Sequence, residues 1–525
     1  MAQVTGAALP DSLRGLLSPR AYPHAVESVR LIETHISWVL LAGEFAYKIK
    51  RPVRYPFIDL RAPQRRRFLC EEELRLNRRF APQLYLGVCR VVDQGGRAAI
   101  AAPGSDGPTL EYVVRMRRFE ARDELDRLLE GGNVDPCELQ TFGQDLAALH
   151  ASFPAASPDS PWGRAQDIEA LMIRNLLECA EASGSLGTAE PVLDLQPLLK
   201  RSLSAAAAPL AARRAGGHIR ECHGDLHSRN MVRLGGRLVA FDCLEYEPAF
   251  RWIDVADEVA FLSSDLTARE RPLHAHAFVG GYLGRSGDYS ACRVLRLYEA
   301  HRALVRAKIA ALEAAAEPRE EPRQALRREY DARLAHAARS LAAGTPVLLL
   351  MCGLSGSGKT WLARQLAERL LAVHVRSDVE RKRRAGLDAL ARTQSGIAQG
   401  LYSSRTSAAV YDDLARAAED IVAGGCSAII DAAFLRREQR TRLAERGARV
   451  GVPARLVYCD APIETLRARV AARVRGGRDA SDADAAVLDW QLSHFERLLP
   501  DEPLEIIRVE TAEPDALATV LRRLA

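Results

Sequence analysis

Val347-Leu348-Leu349-Leu350-Met351-Cys352-Gly353-Leu354-Ser355-Gly356-Ser357-Gly358-Lys359-Thr360 begins as an apolar run and ends in the pattern G-x-x-x-x-G-K-[ST]. A strand before this pattern and a helix-forming run after it are the context that the pattern requires. The glycines let backbone amides turn towards phosphate groups, while Lys359 reaches the outer phosphates and the Thr360 hydroxyl can bind Mg²⁺. We therefore predict a nucleotide site that contains Gly353, Ser355, Gly356, Ser357, Gly358, Lys359 and Thr360.

Downstream of this stretch, short buried runs alternate with longer amphipathic ones. Such an alternation predicts an α/β domain with a parallel sheet. The runs expected as strands are 347–352, 373–375, 428–431, 456–459 and 504–509, and those expected as helices are 361–371 and 407–423.

Within this α/β region, polar residues follow two of the expected strands. Asp378 can take a proton from an attacking hydroxyl, and Arg381 can hold charge on the acceptor; Asp378 is equally typical of a helix N-cap. Asp431 can orient Mg²⁺ or serve only as a turn residue at the strand end. Arg469 and Arg473, four residues apart, share a helix face and can close over a triphosphate, although arginines on helices are commonly solvated.

The run Arg381-Lys382-Arg383-Arg384 places three more cations next to Arg381. These could touch a phosphorylated acceptor. For residues 382–384 we expect instead a solvated helix face, since charge runs usually have that role.

A second constellation occupies the middle of the chain, where His223-Gly224-Asp225-Leu226-His227-Ser228-Arg229-Asn230 stands between two apolar runs and Asp242 ends the second. Asp225 would orient a substrate hydroxyl, and Asn230 and Asp242 would bind Mg²⁺. Upstream, Lys48 lies on the same strand face as Ala46 and can meet phosphates; Lys50 is the competing choice. Glu73, on a charged helix, is the best partner for this lysine, although most helix glutamates are solvated.

These residues resemble two families. The middle constellation and Ala46-Tyr47-Lys48 are similar to protein-kinase-like folds, and most of all to the aminoglycoside phosphotransferase branch. The region from Thr345 onwards is similar to the small P-loop kinases of the polynucleotide-kinase and zeta-toxin groups. Together with Arg51-Pro52-Val53, Phe57-Ile58-Asp59 and residues 74–79, they resemble a bacterial group called bifunctional aminoglycoside phosphotransferase/ATP-binding proteins.

The resemblance implies an α+β protein-kinase-like domain over 1–320, a helical connector over 321–344 and an α/β P-loop kinase-like domain over 345–525. It implies ATP as substrate, Mg²⁺ as cofactor and a small-molecule hydroxyl acceptor. Nucleic acid is a less favoured acceptor for the second domain. The alternative is a regulatory, ATP-binding first lobe that controls a single P-loop kinase. Acidic residues at 257, 258 and 265 would face an acceptor or, as we favour, remain surface charges.

Composition narrows the class of protein. The chain has 525 residues with 48% hydrophobic and 27% charged residues, which indicates two to four globular domains at about 100–200 residues per domain. A net charge of +5 is too dilute to indicate nucleic-acid binding. The 10 cysteines form no C-x-x-C pair, and we find no signal peptide or membrane span. We expect a soluble, cytoplasmic protein.

Overall fold

The computed structural model describes residues 9–55, 58–102, 107–184, 186–187, 189–389, 391, 404–476, 481 and 483–524. Phe57, part of one motif quoted above, lies outside the described residues. The chain forms two compact units. The first contains residues 1–138, 149–163 and 214–265, and the second contains 139–148, 164–213 and 266–525.

The strands of the first unit are β1 (Val29–Glu33), β2 (Ser37–Ala42), β3 (Phe45–Lys50), β4 (Arg54–Tyr55), β5 (Ile58–Asp59), β6 (Tyr85–Asp93), β7 (Ala98–Ile100), β8 (Thr109–Arg117), β9 (Ile219–Glu221), β10 (Met231–Leu234), β11 (Arg237–Ala240) and β12 (Trp252–Asp254). Six of them form an antiparallel sheet in the order β1-β2-β3-β8-β6-β7. Strands β2 and β3 form a hairpin.

The helices of the chain begin with α1 (Pro63–Asn77), α2 (Leu125–Glu130), α3 (Pro136–Ser152), α4 (Ala165–Gly184), α5 (Glu190–Leu193), α6 (Gln196–Ala215), α7 (Val255–Ala268), α8 (Pro272–Ser286), α9 (Cys292–Ala316) and α10 (Glu320–Leu341). They continue with α11 (Lys359–Leu370), α12 (Ser377–Arg384), α13 (Ser404–Ala423), α14 (Arg437–Arg449), α15 (Ile463–Gly476), α16 (Ala485–His494) and α17 (Ala516–Leu524). None of them, within the described residues, is both long and apolar enough to cross a bilayer.

Strand β3 separates two hydrophobic clusters, because its side chains alternate between the faces of the sheet. Tyr47 and Ile49 pack with Leu13 and Leu16, from the start of the chain. Ala46 points to the opposite face, into the cluster that contains Cys70 of α1. Residues at positions 48 and 50 share the face of Ala46, so the sequence places two lysines on the side that α1 covers.

The sheet of the second unit consists of β13 (Leu348–Cys352), β14 (Val373–Arg376), β15 (Ala428–Asp431), β16 (Ala454–Asp460) and β17 (Glu505–Glu510). All pairs are parallel, in the order β14-β15-β13-β16-β17. This confirms the predicted α/β fold. Strand β13 is buried along its whole length, as expected for a central strand covered by helices on both faces.

Two glycines let α3 and α8 approach closely in the second unit. A Cβ on Gly281 would lie 2.1 Å from the carbonyl oxygen of Gln140, and a Cβ on Gly143 would lie 2.3 Å from that of Phe278. Both distances are far below van der Waals contact, and the obstructing atoms are backbone. The crossing therefore requires a residue without a side chain at each position.

We predict that Gly281→Ala destabilises the protein by about 1–3 kcal/mol, because the added methyl group forces the helices apart. The matched control is Gly280→Ala, where the new Cβ meets no atom within 4 Å. That variant should be neutral or more stable by roughly 0.5–1 kcal/mol, since alanine is favoured over glycine inside a helix. Urea unfolding of the full chain measures both, and equal effects of the two substitutions would contradict the close-approach explanation.

Candidate functional site

In the first unit, Lys48 of β3 lies between two carboxylates. Its Nζ donates to Oε1 of Glu73 at 2.9 Å and forms an ion pair with Asp242, which follows β11. Glu73 has no solvent-accessible surface, so its charge is compensated within the protein. The structure thus brings together three residues that the sequence proposed for phosphate and metal binding, and it places Glu73 in the core rather than in solvent.

Lys50, which the sequence offered only as an alternative to Lys48, is a further member of this cluster. Its Nζ forms ion pairs with Glu73 and with Glu245, three residues after Asp242, and both lysines and both glutamates are buried. Burial alone would raise the pKa of Glu73, but Lys48 and Lys50 outweigh it and lower that pKa. Glu73 is therefore shared between two lysines. The alternation of β3 signals that Lys50 faces α1, but nothing in the sequence identifies Glu245 as its partner.

The loop between β9 and β10 presents Asp225. Its Oδ2 accepts a hydrogen bond from the side-chain nitrogen of Asn230 at 2.9 Å, and the ring of His227 lies 3.4 Å from the same oxygen. Asp225, Arg229 and Asn230 are half-buried, whereas residues 221–224 and 226–228 are buried. Because Asn230 uses its nitrogen to hold Asp225, its amide oxygen remains available for a cation.

Backbone hydrogen bonds hold this loop beside Asp242. The amide of Phe241 donates to the carbonyl of Asn230 at 2.9 Å, and the ring of His223 contacts the carbonyl of Phe241 at 2.9 Å. Burial lowers the pKa of His223, although Glu258 opposes the effect, so the ring is neutral near pH 7. A neutral ring suits its two contacts, since one nitrogen donates to a carbonyl and the other accepts from the Asp225 amide.

Acidic residues of α7 bind the backbone of the loop that presents Asp225. Glu258 accepts from the amides of His223 at 2.7 Å and Gly224 at 2.9 Å, and Asp265 accepts from the amide of Ser228 at 3.0 Å. The expectation that the acids at 257, 258 and 265 are surface charges is wrong, because all three are buried. Backbone N–H donors take the place of water around the carboxylates of Glu258 and Asp265. These hydrogen bonds offset the free-energy cost of burying the two charges.

Asp242 has a positive φ of 64°, an uncommon conformation for a residue with a side chain. The Tyr85 hydroxyl accepts a hydrogen bond from the Asp242 amide at 3.1 Å and so helps hold this backbone. Strain of this kind persists where the surroundings impose it, and it is common at functional sites. Tyr85 is a second residue that sequence reasoning missed.

The glycine-rich turn of the second unit wraps closely against its neighbours. Gly353 and Gly356 have φ values of 144° and 85°, and a Cβ on them would lie 2.3 Å from the Cys459 carbonyl oxygen and 2.6 Å from that of Leu466. Any side chain at either position would displace the turn. Lys359, at the start of α11, donates to the carbonyl of Leu354 at 2.8 Å and so lies across the loop.

Thr360 and Asp431 meet at the carboxyl ends of β13 and β15. The Thr360 hydroxyl donates to Oδ2 of Asp431 at 2.6 Å, and the His374 ring lies 3.3 Å from the same oxygen. Burial would raise the pKa of Asp431, but the contact with His374 outweighs it and holds that pKa well below its usual range. A buried carboxylate beside a threonine hydroxyl offers the hard oxygen ligands that Mg²⁺ prefers.

These groups line one pocket of about 430 Å³. Asp378 and Arg381 project into it from α12, and Arg473 projects from α15. Burial raises the pKa of Asp378, although Arg376 and Arg381 oppose the shift. Lining residues already predicted from the sequence are Ser355, Lys359, Thr360, Asp378, Arg381, Asp431 and Arg473.

The two predicted lid arginines have different positions. Arg473 lines the pocket and donates to the carbonyl of Ala483 at 2.9 Å. Arg469 instead contacts the turn itself, donating to the carbonyl of Gly356 at 3.3 Å and to the Thr511 hydroxyl at 3.0 Å. Thr511 in turn donates to the carbonyl of Ser357 at 2.6 Å. Arg469 therefore supports the turn from outside the pocket lining.

The prediction of a solvated face at residues 382–384 is wrong for its first two members. Lys382 is buried and donates to the carbonyl of Ala389 at 3.3 Å. Arg383 is half-buried and forms an ion pair with Glu380. Only Arg384 is exposed, where it pairs with Asp413 at 2.8 Å. The charge run suggested that one face of α12 is exposed to solvent. Nearby acids and carbonyl groups instead bind these cations, so α12 can be packed on more sides.

Two family models match this chain. Residues 59–295 match the phosphotransferase enzyme family, and residues 348–498 match an AAA domain. The first range contains Glu73, Asp225, Asn230 and Asp242, and the second contains the glycine-rich turn. The fold is therefore a protein-kinase-like phosphotransferase region followed by a P-loop domain with a parallel sheet. The chain is an ATP-dependent phosphotransferase of this two-part kind.

Relatives of similar length align with most of this chain. Uncharacterized proteins of Mycobacterium tuberculosis and Mycobacterium bovis are 29% identical over 469 residues, covering 88% of this chain and 91% of their own length. Among solved structures, an aminoglycoside phosphotransferase from Alicyclobacillus acidocaldarius is 17% identical, with 64% of this chain and 96% of that chain covered, at a TM-score of 0.35. A sugar kinase from Janibacter is 24% identical, with 34% and 92% covered, at a TM-score of 0.27.

We predict that Lys50→Met lowers the free energy of unfolding by about 3–5 kcal/mol, because it leaves the buried carboxylate of Glu245 without its partner. Adding Glu245→Leu should recover most of that loss, since an apolar pair of similar volume needs no compensating charge. Urea unfolding of the two variants and of Glu245→Leu alone completes the double-mutant cycle. Additive effects of the two substitutions would show that the pair is not coupled.

Proposed function

We propose that the chain transfers the terminal phosphoryl group of ATP at two separate sites. At the first, Asp225 orients the hydroxyl of a small molecule; at the second, Asp378 serves a second hydroxyl acceptor. The observation that carries the proposal is that each unit combines a lysine suited to phosphates with oxygen ligands and a half-buried aspartate at one place. A purely structural cluster has no need of all three.

At the first site, the residues have distinct tasks. Lys48, held by Glu73, meets the ATP phosphates, and Asp225 accepts or orients the proton of the attacking hydroxyl. Asp242 and the free amide oxygen of Asn230 form a set of hard oxygen donors that fits Mg²⁺. When bound there, Mg²⁺ neutralises charge on the phosphates. Glu258 and Asp265 keep the loop in place, because they bind its backbone amides.

At the second site, the amides of the glycine-rich turn surround the phosphates, and Lys359 leaves the Leu354 carbonyl to reach them. Thr360 and Asp431 supply a second set of oxygen donors that fits Mg²⁺. Asp378 takes the hydroxyl proton while Arg381 and Arg473 stabilise the charge that develops. These roles follow from the shared pocket, where all the side chains converge.

We propose a small molecule rather than nucleic acid as the acceptor, because a net charge of +5 over the chain is too low to indicate a basic surface that binds a polyanion. The proposal also includes a cytoplasmic location. The 10 cysteines, all within the described residues, form no disulfide with one another, which agrees with a reducing compartment. Oligomeric state does not enter the proposal.

Single-site variants separate two working sites from one. In a screen of hydroxylated metabolites with labelled ATP, Asp225→Ala should abolish one class of labelled product and leave the other. Lys359→Ala should have the reverse effect, since it removes phosphate contacts only in the P-loop pocket. Each variant serves as the control for the other, and the double variant should produce no labelled product.

The outcomes discriminate between the proposal and a regulatory first lobe. If Asp225→Ala leaves all phosphoryl transfer intact, the first site is not a kinase site. If that variant instead changes the rate of the Lys359-dependent reaction, the first lobe regulates the second. If the label from ATP appears on 5′-hydroxyl oligonucleotides, the acceptor of the second site is nucleic acid rather than a small molecule.

The pH dependence of the second site tests the role of Asp378. The carboxylate form must accept the proton, so activity falls as the pH drops through the Asp378 pKa. Because burial raises that pKa, the acid limb of the kcat profile should lie above the usual aspartate value of about 3.9. Asp378→Asn should lower kcat by about 10²–10⁴-fold and remove this limb. An unchanged acid limb in that variant would assign the titration to another group.

A further inference from the structure

The pocket of the P-loop site extends well beyond the phosphate-binding turn. Strand β15 pairs with β13 on one side and with β14 on the other, and Asp431 is opposite Met351 and Arg376. Residues after β14 therefore lie two strand spacings from β13, which is roughly 10 Å. That is room for an acceptor whose hydroxyl lies at Asp378 and whose remainder extends away from the nucleotide.

The lining of this pocket is rich in arginine. Five arginines line it against three carboxylates, and one of these, Asp431, accepts from Thr360 and lies 4.0 Å from Nε of Arg376. Planar guanidinium groups bind oxyanions through paired hydrogen bonds, so such a lining suits an anionic ligand. The arginines are Arg376, Arg381, Arg436, Arg442 and Arg473, and the carboxylates are Asp378, Asp431 and Glu438.

Among these arginines, Arg436 makes the fewest interactions with the described residues of the protein. It is exposed immediately before α14, and its backbone amide donates to Gln439 at 3.2 Å. Its guanidinium forms no ion pair with any residue in the part of the chain that the structure describes. Arg442, by contrast, pairs with Asp412 on α13. Arg436 is thus a cation at the pocket wall whose charge the surrounding described residues leave uncompensated.

Two stacked aromatic rings also line the pocket. Trp490 of α16 lines the pocket and stacks on His494 with ring centroids 4.3 Å apart. Such a surface packs against the carbon skeleton of a polyol or sugar while the arginines bind its charged group. The pocket volume of about 430 Å³ is that of a small-molecule site.

From this arrangement we infer that the acceptor of the P-loop site is a small hydroxylated compound that carries an oxyanion, phosphate or carboxylate, bound by Arg436. The inference rests on the proposed function of this pocket. In the reaction, the bond from the γ-phosphorus to the bridging oxygen breaks and leaves ADP. A new bond forms from phosphorus to the acceptor hydroxyl oxygen, and the hydroxyl proton passes to the Asp378 carboxylate. The acceptor's own oxyanion takes no part in bond making and fixes its orientation.

Anion binding can be measured without knowing the acceptor. The full chain is saturated with Mg²⁺ and the non-hydrolysable ATP analogue AMPPNP, which occupies the nucleotide sites, and is titrated calorimetrically with inorganic phosphate or with acetate. We expect saturable binding whose dissociation constant rises about tenfold in Arg436→Gln, since a charge-assisted pair of hydrogen bonds is lost. The matched control is Arg437→Gln, because the neighbouring Arg437 pairs with Asp501 and does not line the pocket.

The outcomes distinguish a phosphate ester from a carboxylate as the acceptor, and they distinguish failure of anion binding from failure of phosphoryl transfer. Binding of phosphate alone assigns a phosphate ester, and binding of acetate as well extends the class to carboxylates. Absence of anion binding, equal binding by Arg436→Gln and wild type, or preferred phosphorylation of 5′-hydroxyl oligonucleotides would overturn the inference. Failure of the proposed function would appear differently, as loss of Lys359-dependent transfer with anion binding intact.

Discussion

Glu73 holds the first unit in a single arrangement, because a carboxylate with no access to water must keep its cations. Lys48 and Lys50 supply them from alternate positions of one strand, and each lysine then reaches a second acid near the end of β11. The sheet, helix α1 and the segment around Asp242 are tied together through this one charge. Moving any of the three would leave a buried ion unpaired.

A similar rule operates around the loop that presents Asp225. Buried acids accept backbone amides there, so the loop conformation and the protonation of the acids depend on each other. Burial would raise the pKa of Glu258, but the nearby ring of His150, 3.8 Å from Oε1 of Glu258, together with His223 and the Gly224 amide, lowers it. The loop that presents Asp225 is therefore supported by charge in the core, whereas Asp225 itself remains half-buried and accessible.

The P-loop unit depends on steric rather than electrostatic constraint. Its glycines admit neighbouring carbonyl groups at distances that no side chain allows, and Arg469 and Thr511 hold the turn from behind. The groups that we propose for catalysis and metal binding then come from the carboxyl ends of three adjacent strands. Parallel strand order explains their convergence, since such ends meet at one edge of the sheet. Arginines, among them Arg436, line the same pocket.

Much of this could be read from the chain alone. Local patterns carry their own physical cause: alternation along β3 placed Lys48 and Lys50 on one face, and the glycine spacing determined the phosphate turn. The alternation of buried and amphipathic runs indicated the parallel sheet around that turn. The partners of those residues were decided only by the tertiary structure. Glu245, Tyr85 and Glu258 are distant in sequence from the groups they hold, and no periodicity links them. Lys382 looked like a solvated cation for the same reason, because burial and pairing depend on which elements pack together, and that is a property of the folded chain as a whole.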